Sequence, residues 1–193
     1  MQAIRIIHDE HRSPAAVLQG MLYLVREIRL RDAKPNFALF RAMVYYLDTF
    51  VERFHHPKED EYLFKLLCLR HPDAAPLVAQ LQSEHRAGGE MLRALEQALA
   101  RYEEGGAREF AAFAEAVQSY AAFEWSHMRT EEDRLLPLAR IHLTADDWRT
   151  VDEAFGKNGD PLVGAQAGTE YDALFRRIVN LAPPPIGVGP PAA

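Results

Sequence analysis

Two histidines, each followed at a four-residue step by a glutamate, are the residues of this chain most able to do chemistry: His55-x-x-x-Glu59 and His127-x-x-x-Glu131. On a helix such a step advances about 6 Å and returns to the same face, so each pair can offer an imidazole nitrogen and a carboxylate oxygen to one point. Two more histidines stand in matching contexts, Glu10-His11-Arg12 and Glu84-His85-Arg86. Burying four imidazoles and two carboxylates without partners costs roughly several kcal/mol per charge, and cations remove that cost. Imidazole suits iron, copper and zinc, while carboxylate adds harder oxygen that favours iron or manganese. The single cysteine, Cys68, excludes a thiolate cage and an intramolecular disulfide.

These residues belong to a repeat. Glu52, His55 and Glu59 recur at one common offset as Glu124, His127 and Glu131, and Leu63-Phe64 recurs as Leu135-Leu136. The chain therefore reads as a helix pair used twice, with a carboxylate from each of two opposed helices placed to bridge two metal ions.

Helical periodicity dominates, and it predicts four long helices over about 3–32, 36–70, 75–104 and 107–141. Named breakers separate them: Asp32-Ala33-Lys34-Pro35-Asn36, His71-Pro72-Asp73 and Gly105-Gly106. Short links between long amphipathic helices imply antiparallel neighbours, hence an all-α, up-down-up-down four-helix bundle over 1–141. Residues 142–193 read as an extension: a short helix near 145–156 capped by Thr144, a Gly-rich stretch, another near 169–181, and the Pro-rich tail APPPIGVGPPAA. Pro57 removes a backbone bond to Arg53 beside the His55 pair. Ser13-Pro14 leaves open whether His11 lies inside the first helix or just ahead of it.

Composition narrows the function classes. Net charge is −6 with no dense basic cluster, which argues against nucleic acid as a partner. No run approaches the ~20 apolar residues of a membrane span. The N-terminal MQAIRIIHDEHR shows no signal pattern, so a cytoplasmic location is the expectation. Neither a nucleophilic triad nor a phosphate-cradling Gly loop is evident, so no residue is assigned a catalytic role.

The strings HHPKED and H-x-x-x-EE followed by Leu-Leu-Pro, set in the order Glu-His, H-x-x-x-E, Glu-His, H-x-x-x-E, resemble the hemerythrin-like, or HHE cation-binding, family over residues 5–141. That resemblance implies a non-haem di-iron site with an oxo or hydroxo bridge. His11, His55, His85 and His127 would be terminal ligands and Glu59 and Glu131 bridges, with zinc or manganese as substitutes. It implies O2, NO or peroxide as the small ligand, for sensing, scavenging or iron handling, along with a redox partner of unassigned identity; a homodimer is compatible. The oxygen-storing invertebrate members carry a second histidine four residues after the third-helix ligand, where this chain has Gly89. The four-His, two-Glu set is closer to bacterial members.

Around the six, Glu52, Glu124, Glu10 and Glu84 are candidates to support the ligands rather than bind metal, though Glu52 and Glu124 share the Glu-x-x-His spacing of ferritin-like sites. His8 has no counterpart in the repeat and reads as a surface residue. His56, about 100° around the helix from His55, reads as peripheral, and Lys58 as solvated. Two rival functions stand beside diatomic-ligand binding: an oxidase or peroxidase-like di-iron enzyme, and a non-catalytic helical interaction module.

Overall fold

The computed structural model describes residues 1–156 together with Ile178, Asn180 and Ala182. Four helical rods form the bundle. They are α1 (Gln2–Arg31), α2 (residues 37–70), α3 (Ala75–Gly105) and α4 (residues 110–142), followed by α5 (Ala145–Gly156). The short helix expected near 145–156 is present, whereas the one expected near 169–181 and the Pro-rich tail lie outside the described residues, Ile178, Asn180 and Ala182 apart. None of the described helices is long and apolar enough to cross a membrane.

The breakers act as their chemistry requires. Asp32 takes a left-handed conformation (φ 52°) to end α1, and the Asn36 side chain accepts a hydrogen bond from the Leu39 amide to start α2. Gly106 turns the chain between α3 and α4 at φ 69°, a region that favours glycine. Pro14 begins nothing: α1 starts at Gln2 and runs through Pro14, so His11 lies well inside it.

Two of the rods depart from regular α-helix at the residues singled out above. Within α2, π-helical turns occupy Leu47–His55 and Glu59–Phe64, with Pro57 in the short α-turn His56–Lys58 between them. In α4 a π segment spans Glu131–Leu135. Both glutamates of the repeat thus open a π segment. Such widened turns re-aim side chains and are common at functional sites.

The core divides in two. One apolar cluster takes in Leu18, Met21, Phe40, Met43, Tyr46, Leu95, Phe113 and Tyr120, with Ile178 and Ala182 among its members. The other takes in Ile7, Leu63, Phe64, Leu81, Leu135, Val151 and Phe155. Between them, on all four rods, sit His11, His55, Glu59, His85, Glu124, His127 and Glu131, every one buried. A polar layer held between two apolar plugs is shielded from water above and below, which strengthens each charge interaction in it.

Helix α5 is clamped on by charge as well as by Trp148, Val151 and Phe155. Arg70 at the end of α2 grips the buried Asp147 carboxylate through Nε (2.7 Å) and Nη2 (2.9 Å). Asp147 also accepts from the Thr144 amide (2.9 Å) and hydroxyl (2.7 Å), while its own amide donates back to Thr144 Oγ1 (3.2 Å), a reciprocal helix cap. Asp152 accepts from the Ala3 amide (2.7 Å), satisfying one of the orphan donors at the start of α1. The bond from Arg70, supported by Thr144, holds the Asp147 carboxyl well below the usual carboxylate range. A lowered folded-state value contributes stability that is present above about pH 4 and is lost as pH falls below it. Thermal melts should therefore show wild type losing more stability between pH 7 and pH 3 than Asp147→Asn does; equal losses would count against this clamp.

Candidate metal centre

The six residues predicted from spacing converge on the centre of the polar layer. His11 Nε2 and His55 Nε2 stand 3.1 Å apart, and so do His85 Nε2 and His127 Nε2. That is about the gap between two neighbouring ligands of one ion at a metal–imidazole distance of roughly 2.0–2.1 Å. Between the two histidine pairs lie the carboxylates, each 1 % exposed. Glu59 turns Oε1 toward His55 (3.3 Å) and His11 (4.0 Å) and Oε2 toward His85 (3.6 Å). Glu131 turns Oε2 toward His11 (3.3 Å) and Oε1 toward His127 (3.4 Å) and His85 (3.7 Å). Each carboxylate offers one oxygen to each pair.

Whether this set fits metal ions is decided by its hydrogen bonds. All four carboxylate oxygens of Glu59 and Glu131 are buried without a hydrogen-bond partner among the described residues. They lie close to the histidines without the alignment of hydrogen bonds. Native interiors rarely leave such groups unpaired, and a bound cation is one of the few explanations. Two groups place one ligand atom per residue within 4.8 Å of one another: His11, His55, Glu59 and Glu131, and His56, Glu59, His85 and His127. The donor set, imidazole plus carboxylate with no thiolate, fits iron or manganese and tolerates zinc.

Behind each histidine stands a carboxylate. His55 Nδ1 meets Glu10 (2.9 Å) and His127 Nδ1 meets Glu84 (2.9 Å), so both of these flanking glutamates contact ligand candidates. His11 Nδ1 meets Glu132 (2.9 Å) and His85 Nδ1 meets Asp60 (3.3 Å). A carboxylate at Nδ1 fixes the ring and its tautomer so that Nε2 faces the metal. The four pairs obey the repeat: Glu10 corresponds to Glu84, and Asp60 to Glu132. Spacing alone missed Asp60 and Glu132, yet both directly follow a glutamate of the repeat, and that doubled acid was the available signal. His8 approaches Glu132 at 3.3 Å, outside both groups.

The surroundings set the protonation of these groups. Burial opposes charge on His55, but the Glu59 carboxylate and Glu10 outweigh it and raise the imidazole to about 9. For His127 burial is likewise outweighed, by Glu131 and Glu84, to about 10, and for His85 by Asp60, Glu131 and Glu59, to about 9. His11 is raised against its burial by Glu131 and Glu132. Glu131, although burial alone would raise it, is held well below its ordinary value by His127, His11 and His85.

Two expectations are corrected. His56 is not peripheral: it is 4 % exposed, its ring lies over that of His85 with centroids 3.9 Å apart and planes within 12°, and it belongs to one of the two groups. Burial, with the positive charge of His85 and His55 beside it, pushes its imidazole well below the ordinary value. The π turns on either side alter the angular step that placed it on an outer face. Lys58 is not solvated either. Its ammonium donates to both oxygens of Glu10 (2.9 and 3.1 Å) and lies over the rings of Phe54 (3.9 Å) and Phe155 (4.7 Å). It thereby holds the carboxylate that orients His55.

Glu52 and Glu124 stand at the edge of the layer, in neither group. Glu52 Oε2 lies 3.6 Å from His56 Nδ1. An added Cβ on Gly88 would come within 3.1 Å of Glu124 Oε1 and 3.4 Å of Glu52 Oε1, and one on Gly89 within 3.1 Å of Glu52 Oε2. The bare backbone of α3 is what gives these carboxyls room. Burial raises both to about 7, against the attraction of nearby histidines.

A family model, the hemerythrin HHE cation binding domain, matches residues 2–139. No curated protein and no solved structure matches the chain.

Proposed function

The chain belongs to the hemerythrin HHE cation-binding family, and on that basis we propose that it is a non-haem di-iron protein that binds a small oxidising or diatomic ligand. His11 and His55 would hold one iron and His85 and His127 the other, with Glu59 and Glu131 shared between the two. The observation that carries this reading is the pair of buried carboxylates whose four oxygens lack hydrogen bonds while each glutamate faces both histidine pairs. Two ferrous ions there would supply electrons and open coordination to O2, NO or peroxide.

The protein's own groups do the rest. Glu10, Glu84, Glu132 and Asp60 orient the four rings and balance their charge. The apolar clusters on either side keep bulk water from the centre. Sensing, scavenging and iron handling all draw on this chemistry. The test is anaerobic titration with ferrous iron followed by air. Uptake should saturate at two irons per chain, and air should bring up near-ultraviolet absorption that the apo-protein lacks. Saturation well below two irons sinks the reading.

A further inference from the structure

Between α2 and α3 the bundle carries a cavity of about 340 Å³, floored by the buried side chains of Val44, Leu92 and Leu99. Asp48 and Arg93 line it too. Each of these two stands four positions from a residue at the edge of the metal layer: Glu52 follows Asp48 on α2, and Gly89 precedes Arg93 on α3. The point where a Gly89 Cβ would lie is 3.6 Å from Arg93 Nη1 and 3.1 Å from Glu52 Oε2. At Gly88 the corresponding point is 3.4 Å from Glu52 Oε1 and 3.1 Å from Glu124 Oε1. The Glu52 carboxylate thus spans the two glycines, with one oxygen on the Arg93 side and the other toward Glu124, which sits three residues before His127 on α4.

Both oxygens at Gly88, Glu52 Oε1 and Glu124 Oε1, are buried without a hydrogen-bond partner among the described residues, and so is the hydroxyl of Tyr120 beside them. Glu124 is 2 % exposed. Burial and the nearby Glu52 both work against a charge on Glu124, although His127 favours it. A cation held between the two carboxylates reverses that balance, because an opposite charge offsets the cost of desolvating them. A neutral diatomic molecule gains nothing comparable from them. Resting on the di-iron reading above, we infer that Glu52 and Glu124 form a loading site for ferrous iron, through which each ion passes from the α2–α3 cavity to the histidines. The bare backbone at Gly88 and Gly89 leaves the space that the ion crosses. Arg93, at the mouth, balances the Glu52 charge between passages.

The experiment uses the full chain and ferrous iron without oxygen. A coloured ferrous chelator added at set times after mixing reports the iron still free, and an excess of it added to the loaded protein reports release. A group on the path speeds entry and exit alike, so its removal slows both by the same factor and leaves the equilibrium constant unchanged. A group that only positions the ligands shifts the equilibrium constant instead. Glu52→Gln and Glu124→Gln should each slow entry and exit on the order of 10-fold or more, with two irons still bound at wild-type affinity. Arg93→Glu, a change at an exposed side chain, should speed entry. Wild-type rates in all three variants overturn the inference, and so does a changed affinity with unchanged entry. Where a Gln variant fails to fold, Arg93→Glu decides: entry no faster than in wild type overturns the inference. A wild-type chain that takes up no iron overturns the di-iron reading and this one together; two irons bound at rates indifferent to these residues overturns this one alone.

Discussion

Replacing Glu131 by alanine is expected to reduce iron binding from two per chain to one or none and to weaken the metal-free fold. The carboxylate is 1 % exposed and lies 3.3 Å from His11, 3.4 Å from His127 and 3.7 Å from His85. It is the group by which both histidine pairs are joined through α4. Without metal it also neutralises the imidazoles around it, since its charge raises His11 and His127 against their burial. Removing one member of a buried charged set leaves the others uncompensated, at about 3–5 kcal/mol. Metal analysis and chemical denaturation of the same variant separate the two effects. Glu132→Ala is the control, because that partly exposed residue touches His11 only from behind: it should keep two irons with about 10–100-fold weaker binding. Two irons at wild-type affinity in Glu131→Ala would remove the bridging role.

The bundle and the six central residues were legible because two independent periodicities agree. The 3.6-residue apolar pattern, punctuated by Asp32 to Asn36, His71-Pro72 and Gly105-Gly106, yields the four rods. The repeat then pairs His11 with His85, His55 with His127 and Glu59 with Glu131. What stayed hidden depends on geometry that such patterns do not carry. The π turns before His55 and after Glu59 change how the side chains between them are aimed, so His56 was assigned to an outer face when it stacks on His85. Lys58 has the type of a surface residue, and its burial depends on Glu10 from α1 and Phe155 from α5, neither of which is near it in sequence. Asp60 and Glu132 become interpretable once His85 and His11 arrive opposite them from other rods. Local pattern identified the groups that meet at the centre of the layer, whereas the groups that hold those in place are defined by which helices meet.

Helix α5 illustrates the same dependence and gives an expected effect on stability as large as that of Glu131→Ala. It follows the bundle as a short segment, yet Phe155 is fully buried in the second core cluster, edge-on to His55 with centroids 6.4 Å apart and beneath the Lys58 ammonium. Phe155→Ala should therefore cost about 3–5 kcal/mol, the range for deleting a buried aromatic ring. For a chain of this size that is a fall of roughly 6–20 °C in melting temperature. The loss should exceed that of a removable appendage, because the ring is part of the same buried cluster as Ile7, Leu63 and Leu135 of the bundle itself. It should also reach the metal layer. Without the ring, water gains access to the Lys58–Glu10 pair, whose carboxylate holds His55 at 2.9 Å, so iron uptake should weaken as well. Melts of the metal-free and iron-loaded forms test both parts, since an ion that binds the folded state alone raises stability in proportion to its affinity. The iron-induced rise in melting temperature should be smaller in Phe155→Ala than in wild type. A melting temperature within a degree or two of wild type would show that α5 is not part of the folding unit, and an undiminished iron-induced rise would show that its contact with His55 has no bearing on the metals.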